Sequence, residues 1–526
     1  MKPRAHSIFG LVILLTLDFT KAFSEKDKVP ANADEIQPKF WESLARERIR
    51  RTFQYYRKPR KPAKNVILFL GDGMGLPTIA AARFFKAEME KRMGAANPSL
   101  YFEEFPFHTL CRTFNLYTEV TDSASSATAY LGGTKTITGM LGLTGAVRVK
   151  ECREYKAEEK IDSVLEAAIR AGKATGLVST ARITHASPAG AYAHISYRKW
   201  ESNSHVEKDC PSEQSRPKDI ARQMLEDHPD INVMIGGGLD MFHDKNNGGQ
   251  RTDGRNIAEE WLKRMQDQGR KAKLVKSAKE FMTTDFTGVD YLLGLLASSH
   301  VDFEADRKPD EASLANMTTV AIKILSRQPN GFFLFVEGGR IDHAHHGNLG
   351  KQEAIREGVK MVDLKETLVI VTADHSHSFH LVGEPSRRTS LLALDESYSP
   401  RTLDNKGMIP LLYSSGSAGK VNELRGDLNG KEILAKLSDK ENKLPAFIPL
   451  NSSTHGGEDV GVYATGAFSQ FFHSTVDNTF IAQLMKYAMC LYPFEREPHC
   501  INASTTLGFS ALSVILSILI TRYNLC

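Results

Sequence analysis

The chain has 526 residues, 41% of them hydrophobic and 25% charged, an ordinary globular composition long enough for a large core and more than one lobe. Its formal charge of +4 is inflated by the ends: residues 1–22 supply +2 (Lys2, Arg4 and Lys21 against Asp18) and residues 505–526 supply +1 (Arg522), leaving +1 between them. That near-neutral body, with no basic stripe interleaved with aromatics and no internal repeat, argues against nucleic acid as a partner. The chain opens on MKPRAHSIFGLVILLTLDFTKAFS, with a basic start, the apolar run Ile8–Leu17 and small residues Ala22 and Ser24. This order predicts a secretory signal peptide over residues 1–22, the run being too short to span a membrane. Residues 23–61 follow as a charged arm, in which KFWESLARERIRRTFQYY reads as an amphipathic helix and RKPRKPAK as a linker.

From residue 64 the pattern changes. NVILFLGDG, TGLVST, INVMIGGG, GFFLFVEGG and TLVIVTADH are short unbroken apolar runs ending in Gly, Asp, Ser or His. Buried parallel strands read this way, because both faces of the sheet are covered. Between them, IDSVLEAAIRAGK, DIARQMLEDHP and RNIAEEWLKRMQDQG read as helices. Strand alternating with helix over hundreds of residues predicts an α/β sheet, with ligands at the carboxyl ends of its strands. Residues about 383–454 break the rhythm and are expected to form an inserted lobe.

At the far end, small residues Asn502-Ala503-Ser504 precede the apolar tail Leu507–Ile520. This resembles a GPI-attachment signal, with residues 505–526 a removable propeptide and Asn502 or Ser504 the candidate attachment residue. The polar spacer is short, Thr505-Thr506, and a short tail anchor is the competing reading. Of the six cysteines, Cys526 leaves with the tail, and export would oxidise the others where geometry permits. Cys490 and Cys500 can close a short loop, and Cys152 and Cys210 are candidate partners, leaving Cys111 free in HTLCRTF. Asn316 and Asn451 are glycosylation candidates; Asn502 also heads a sequon.

Several strand ends carry groups that bind metals. NVILFLGDG delivers Asp72; GFFLFVEGGRIDHAHH delivers Glu337, then Asp342 and His346 at an i, i+4 spacing. TLVIVTADHSH delivers Asp374-His375 with His377 beyond, and STHGGEDVGVYATG places His455 before a strand. Singly, a carboxylate there is a turn or cap residue and a lone histidine is structural. Together, a mixed N/O set suits catalytic Zn²⁺ and an oxygen set suits Mg²⁺. VTDSASSATAYLGG adds Asp122 and Ser123 at the mouth of a helix with almost no side-chain bulk. That is either a capped, tightly packed helix or the seat of a nucleophile.

TDSASSATAY, THASPAGAYAH, EGGRIDHAHH, TADHSH and THGGEDVGVYA resemble the alkaline phosphatase family in its animal, membrane-anchored form, and the likeness runs from about Phe40 to Cys500. The resemblance implies a catalytic domain over 62–500. Its fold would be α/β, with a central mixed, mostly parallel sheet flanked by helices on both faces and a small crown-like inserted lobe. It implies a homodimer that hydrolyses small phosphate monoesters with two Zn²⁺ and one Mg²⁺. Ser123 matches the nucleophile that becomes phosphorylated. One zinc would sit on Asp342, His346 and His455, the other on Asp72, Asp374 and His375 with Ser123 completing it. Mg²⁺ would take Asp72, Ser187 and Glu337, with His185 reaching it through water. Arg198, in AHISYRKW, takes the place of the arginine that grips phosphate, and His343 and His377 stand behind the ligands; Asp122 reads as structural or as a hydrogen-bond partner of Arg198, not as a ligand. His185 and His343, where bacterial relatives often carry Asp and Lys, imply the animal, magnesium-type site.

Two segments depart from the family pattern. KQEAIREGVKMVDLKETLVIVTADH leaves room for a single modest helix between His346 and Asp374, where relatives have a longer one. LLGLLASSHVDFEAD carries Ala297 where an acid would serve the family's calcium-type site, so no fourth metal is expected. A phosphodiesterase would place Thr as nucleophile and lack the Arg198 motif, and a sulfatase needs a modifiable Cys or Ser in another context. A catalytically impaired surface binding protein is the remaining alternative, supported by the shortened segment alone.

Overall fold

The computed structural model describes residues 62–94, 98–349, 361–397, 402–421, 423 and 443–501. The expected signal peptide, arm, anchor signal (Asn502 and Ser504 included) and the helix within 350–360 lie outside the described residues. Fifteen strands are described: β1 (Asn65–Gly71), β2 (Phe107–Arg112), β3 (Ala174–Arg182), β4 (Val233–Gly237), β5 (Ala272–Val275), β6 (Tyr291–Leu295), β7 (Phe332–Gly338), β8 (Thr367–Ala373), β9 (Ser376–His377), β10 (Phe379–Leu381), β11 (Leu411–Gly416), β12 (Ala446–Pro449), β13 (His455–Gly456), β14 (Val460–Gly466) and β15 (Val476–Asp477). The helices used below are α1 (Leu76–Met89), α2 (Ser123–Ala127), α3 (Val164–Arg170), α4 (Ala186–Ala189), α5 (Ile220–Glu226), α6 (Ile257–Asp267), α7 (Leu314–Leu325), α8 (Arg340–His346) and α9 (Thr479–Ala488).

Ten strands make one sheet in the order β15-β2-β14-β8-β1-β7-β3-β4-β6-β5. β14 runs antiparallel to both its neighbours, β2 and β8, and the other pairings are parallel. Every residue of β1 and β8 is buried, which requires cover on both faces and explains their unbroken apolar sequences. The predicted helices form as α3, α5 and α6, each closed on its buried stripe; α3 opens on a capping box in which Ser163 and Glu166 satisfy each other's backbone. Register does the work of assembly. Leu70 stands beside Glu337, Gly71 beside Ala373, and Ser179 beside Glu337, so the residues that follow β1 and β8 meet the end of β7 at one edge of the sheet.

A second sheet, β10-β11-β12, carries its own apolar cluster of Phe379, Leu391, Ile409, Leu411, Tyr413 and Leu444, packed against Ala81 of α1. Its first strand begins at Phe379. Cys152–Cys210 and Cys490–Cys500 are disulfides, while Cys111 is buried in β2 with its thiol pushed up to about 12 by burial. Among the described residues, no helix is long and apolar enough to cross a membrane.

Candidate metal centre

The sheet edge where β1, β7 and β8 end gathers the predicted ligand residues into three adjoining groups. Asp342, His346, His377 and His455 form one; Asp72, Asp374 and His375 another; Asp72, His185 and Glu337 the third. Asp72 belongs to two of them, as a carboxylate with two oxygens allows. Gly73 permits this crowding: its φ is +70°, and a Cβ there would lie 2.8 Å from the His377 ring. Its N–H donates to Asp374 Oδ1 at 2.9 Å.

Three histidines are wired alike. His346 Nδ1 lies 2.7 Å from the carbonyl of Ser453, His455 Nδ1 2.9 Å from that of Thr121, and His375 Nδ1 2.9 Å from that of Ser376. A carbonyl only accepts, so each Nδ1 carries the proton and each Nε2 turns inward, the arrangement that metal-binding imidazoles use. His346 Nε2 is then 3.3 Å from both His455 Nε2 and Asp342 Oδ2, and His375 Nε2 is 3.3 Å from both Asp374 Oδ2 and Ser123 Oγ.

Unpaired buried atoms face the same space. Asp72 Oδ1 and Oδ2, Glu337 Oε1, Asp374 Oδ2, His185 Nδ1 and Ser187 Oγ are buried without a hydrogen-bond partner. Such atoms are costly unless something absent from the chain satisfies them. Burial pushes Asp72 well above the usual carboxylate range, with Asp374, Asp342 and Glu337 adding repulsion. Burial likewise lifts Glu337 to about 7, although Ser179 hydrogen-bonds its other oxygen. Carboxylates packed so closely fit bound cations, which would reverse that repulsion.

Ser123 opens α2, and Asp122 caps it through Ser125 N at 3.1 Å. The expected longer helix divides: α2 gives way to a π-helical turn over Thr128–Gly132, ending at Gly133 in the left-handed region. The small residues earn close packing, since a Cβ at Gly190 would lie 2.6 Å from Ala127 Cβ. Asp122 also receives Arg198 Nη1 at 3.0 Å and Gly139 N at 3.1 Å. Burial raises the Asp122 pKa, but Arg198 and the bonds from Ser125 and Gly139 outweigh it and hold the group at about 2. Arg198 Nη2 reaches His185 Nε2 at 3.2 Å.

A family model described as "Alkaline phosphatase" matches residues 63–491. The chain belongs to the alkaline phosphatase family. It is therefore a metal-dependent hydrolase of phosphate monoesters. An alkaline phosphatase of Gadus morhua is 38% identical, aligning 87% of this chain with 98% of its own. A membrane-bound alkaline phosphatase of Bombyx mori is 35% identical over 96% of this chain and 94% of its own, and the tissue-nonspecific isozyme of Homo sapiens is 35% identical over 92% and 94%. Among solved structures, alkaline phosphatases from the Antarctic bacterium TAB5 (23% identity, TM-score 0.53, 82% of this chain and 99% of the other) and from a psychrophilic Shewanella (22%, 0.56, 81% and 99%) share the fold.

His377, expected behind the ligands, sets Nε2 2.8 Å from Asp342 Oδ1. Other participants escaped the sequence. Ser179 lies near the end of TGLVST, a run whose pattern names no partner for it. His300 packs 4.2 Å from the His343 ring and 5.5 Å from that of His185, between ring centroids, and lies in LLGLLASSHVDFEAD, where the sequence marks only Ala297. Asn316, on α7, uses its Oδ1 to accept from Ser313, while Asn451 is exposed.

Proposed function

We propose that this alkaline phosphatase works through a phosphoserine intermediate on Ser123, with two Zn²⁺ and one Mg²⁺ per chain. Asp342, His346 and His455 would hold one zinc; Asp72, Asp374 and His375, with Ser123, the other; Asp72, Ser187 and Glu337 the magnesium, with His185 reaching it through water. When bound, the metals lower the cost of ionising the serine hydroxyl and of charging the departing and incoming oxygens. Arg198 grips two phosphate oxygens with the fork that Asp122 and His185 steady. Ser123 Oγ attacks phosphorus, forming the Oγ–P bond as the ester P–O bond breaks and the alcohol leaves with a proton. Water then attacks phosphorus from the side the alcohol left, opposite Ser123 Oγ; the Oγ–P bond breaks, inorganic phosphate departs with the water's oxygen, and Ser123 regains its proton. His343 and His377 orient their neighbours.

The observation carrying this reading is the position of Ser123 Oγ, buried and 3.3 Å from an inward-turned His375 Nε2. Most of the remainder rests on the sequence: export on residues 1–22, a GPI anchor at Asn502 or Ser504 on the outer leaflet of the plasma membrane on the tail Leu507–Ile520, and glycans on the sequons at Asn316 and Asn451. The homodimer rests on the family resemblance, and a membrane-bound relative fits a surface location. The test is hydrolysis of a chromogenic phosphate monoester at alkaline pH by secreted protein lacking residues 505–526, compared with Ser123→Ala, before and after chelation and restoration of Zn²⁺ and Mg²⁺. Activity lost with Ser123 and with chelation, and regained with both metals, supports it. Activity that survives Ser123→Ala sinks the phosphoserine route.

A further inference from the structure

Away from the strand ends, a second set of ligand-type side chains converges. Glu166 of α3, His194 (on the segment leading to Arg198) and His228 (just beyond α5) bring a carboxylate oxygen and two ring nitrogens within 4.8 Å of one another. Glu166 Oε1 lies 2.9 Å from His194 Nε2 and 3.5 Å from His228 Nε2. Their outer contacts leave these atoms aimed at each other. Glu166 Oε2 is taken by Ser163 N at 2.8 Å, so Oε1 is the oxygen that faces the histidines. His194 Nδ1 donates to the carbonyl of Gly142 at 2.8 Å, and Gln223 brackets the His194 backbone, accepting from its N–H at 2.8 Å and donating to its carbonyl at 3.2 Å. At His194 this is the wiring of His346, His375 and His455 repeated elsewhere in the fold.

The dimensions suit one ion. A tetrahedral Zn²⁺ about 2.0–2.1 Å from each ligand separates ligand atoms by about 3.3 Å; the two carboxylate–imidazole distances, 2.9 and 3.5 Å, bracket that spacing, and the two ring nitrogens lie within 4.8 Å of each other. Two histidines and one glutamate leave a fourth position open, and here it has somewhere to open: all three side chains line a cavity of about 420 Å³, together with Lys160, Lys218 and Asp227. We propose that Glu166, His194 and His228 form a peripheral Zn²⁺-type metal site, separate from the centre at the strand ends. It would tie α3 and the turn after α5 to the segment that presents Arg198. The competing occupant is a proton on His194, which would make the cluster an ordinary ion pair.

Full-length protein already loaded with Zn²⁺ and Mg²⁺ and dialysed free of excess would be titrated calorimetrically with Zn²⁺ alone, with bound zinc counted by elemental mass spectrometry. The expected result is one further Zn²⁺ per chain in the wild type, bound at least roughly tenfold more weakly by His228→Ala and by Glu166→Gln. Equal uptake by wild type and His228→Ala, or no further uptake at all, overturns the site. Anomalous diffraction at the zinc edge from wild-type crystals grown with added Zn²⁺ depends on no variant folding. A peak among the three side chains supports the site, and its absence refutes it.

Discussion

On the side of Asp72, Asp374 and Glu337, three buried carboxylates meet His375; on the side of Asp342, one carboxylate faces His346, His377 and His455. The first group repels itself: burial and mutual repulsion drive Asp72 and Glu337 upward. The second is nearly self-satisfying. Burial opposes ionisation of Asp342, but the hydrogen bond from His377 and electrostatic interaction with His346, His377 and His455 carry it well below the usual carboxylate range. The difference teaches that stripping the ions falls unequally on the two sides. The acid-rich side loses the cations its carboxylates need, whereas the histidine-rich side keeps internal partners.

The largest effect belongs to Ser123, which stands beside the acid-rich side through His375. Ser123→Ala should lower kcat by roughly 10³-fold or more, with metal content measured by mass spectrometry close to that of the wild type. Heavy metal loss in that variant would mean the hydroxyl holds the two sides together and is more than a nucleophile. On the histidine-rich side, His377→Ala removes the bond that orients Asp342. Zinc affinity there should fall roughly 10–100-fold in competition with a chelator, with little change in magnesium retention. Equal loss of both metals would erase the division.

Arg198→Lys keeps the charge but not the fork, and should cost roughly 10–100-fold in kcat/KM, the equivalent of one charge-assisted hydrogen bond. The smallest effect has the most telling sign. In metal-free protein a carboxyl raised on folding favours the native state at low pH, and that contribution disappears as pH climbs. For Glu337 the window runs from 4.5 to about 7. Glu337→Gln should therefore flatten the decline of Tm across that window and raise the metal-free Tm at pH 8 by about 1–2 °C. With Mg²⁺ present the same substitution should lower it. A variant less stable in both conditions would show that Glu337 is not strained by its neighbours.

By itself the sequence determined what depends on local spacing. Short unbroken runs ending in Gly, Asp, Ser or His, such as TLVIVTADH, read as strands covered on both faces, and the i, i+4 step from Asp342 to His346 put both on one face of α8. Cys152 and Cys210 stood only as candidate partners, and the fold joins them. The tertiary structure decided what depends on strand order and on the backbone. Ser179 meets Glu337 only because β3 and β7 are neighbours in that register, and His300 reaches His185 and His343 from a segment with no pattern to mark it. The carbonyls of Thr121 and Ser453 that turn His455 and His346 inward have no side-chain identity for a sequence to record. Glu166, His194 and His228 are scattered over three unrelated segments. Spacing along the chain encodes periodicity within an element, whereas distances between elements are set by which strands pair, in what register, and what their packing leaves unsatisfied.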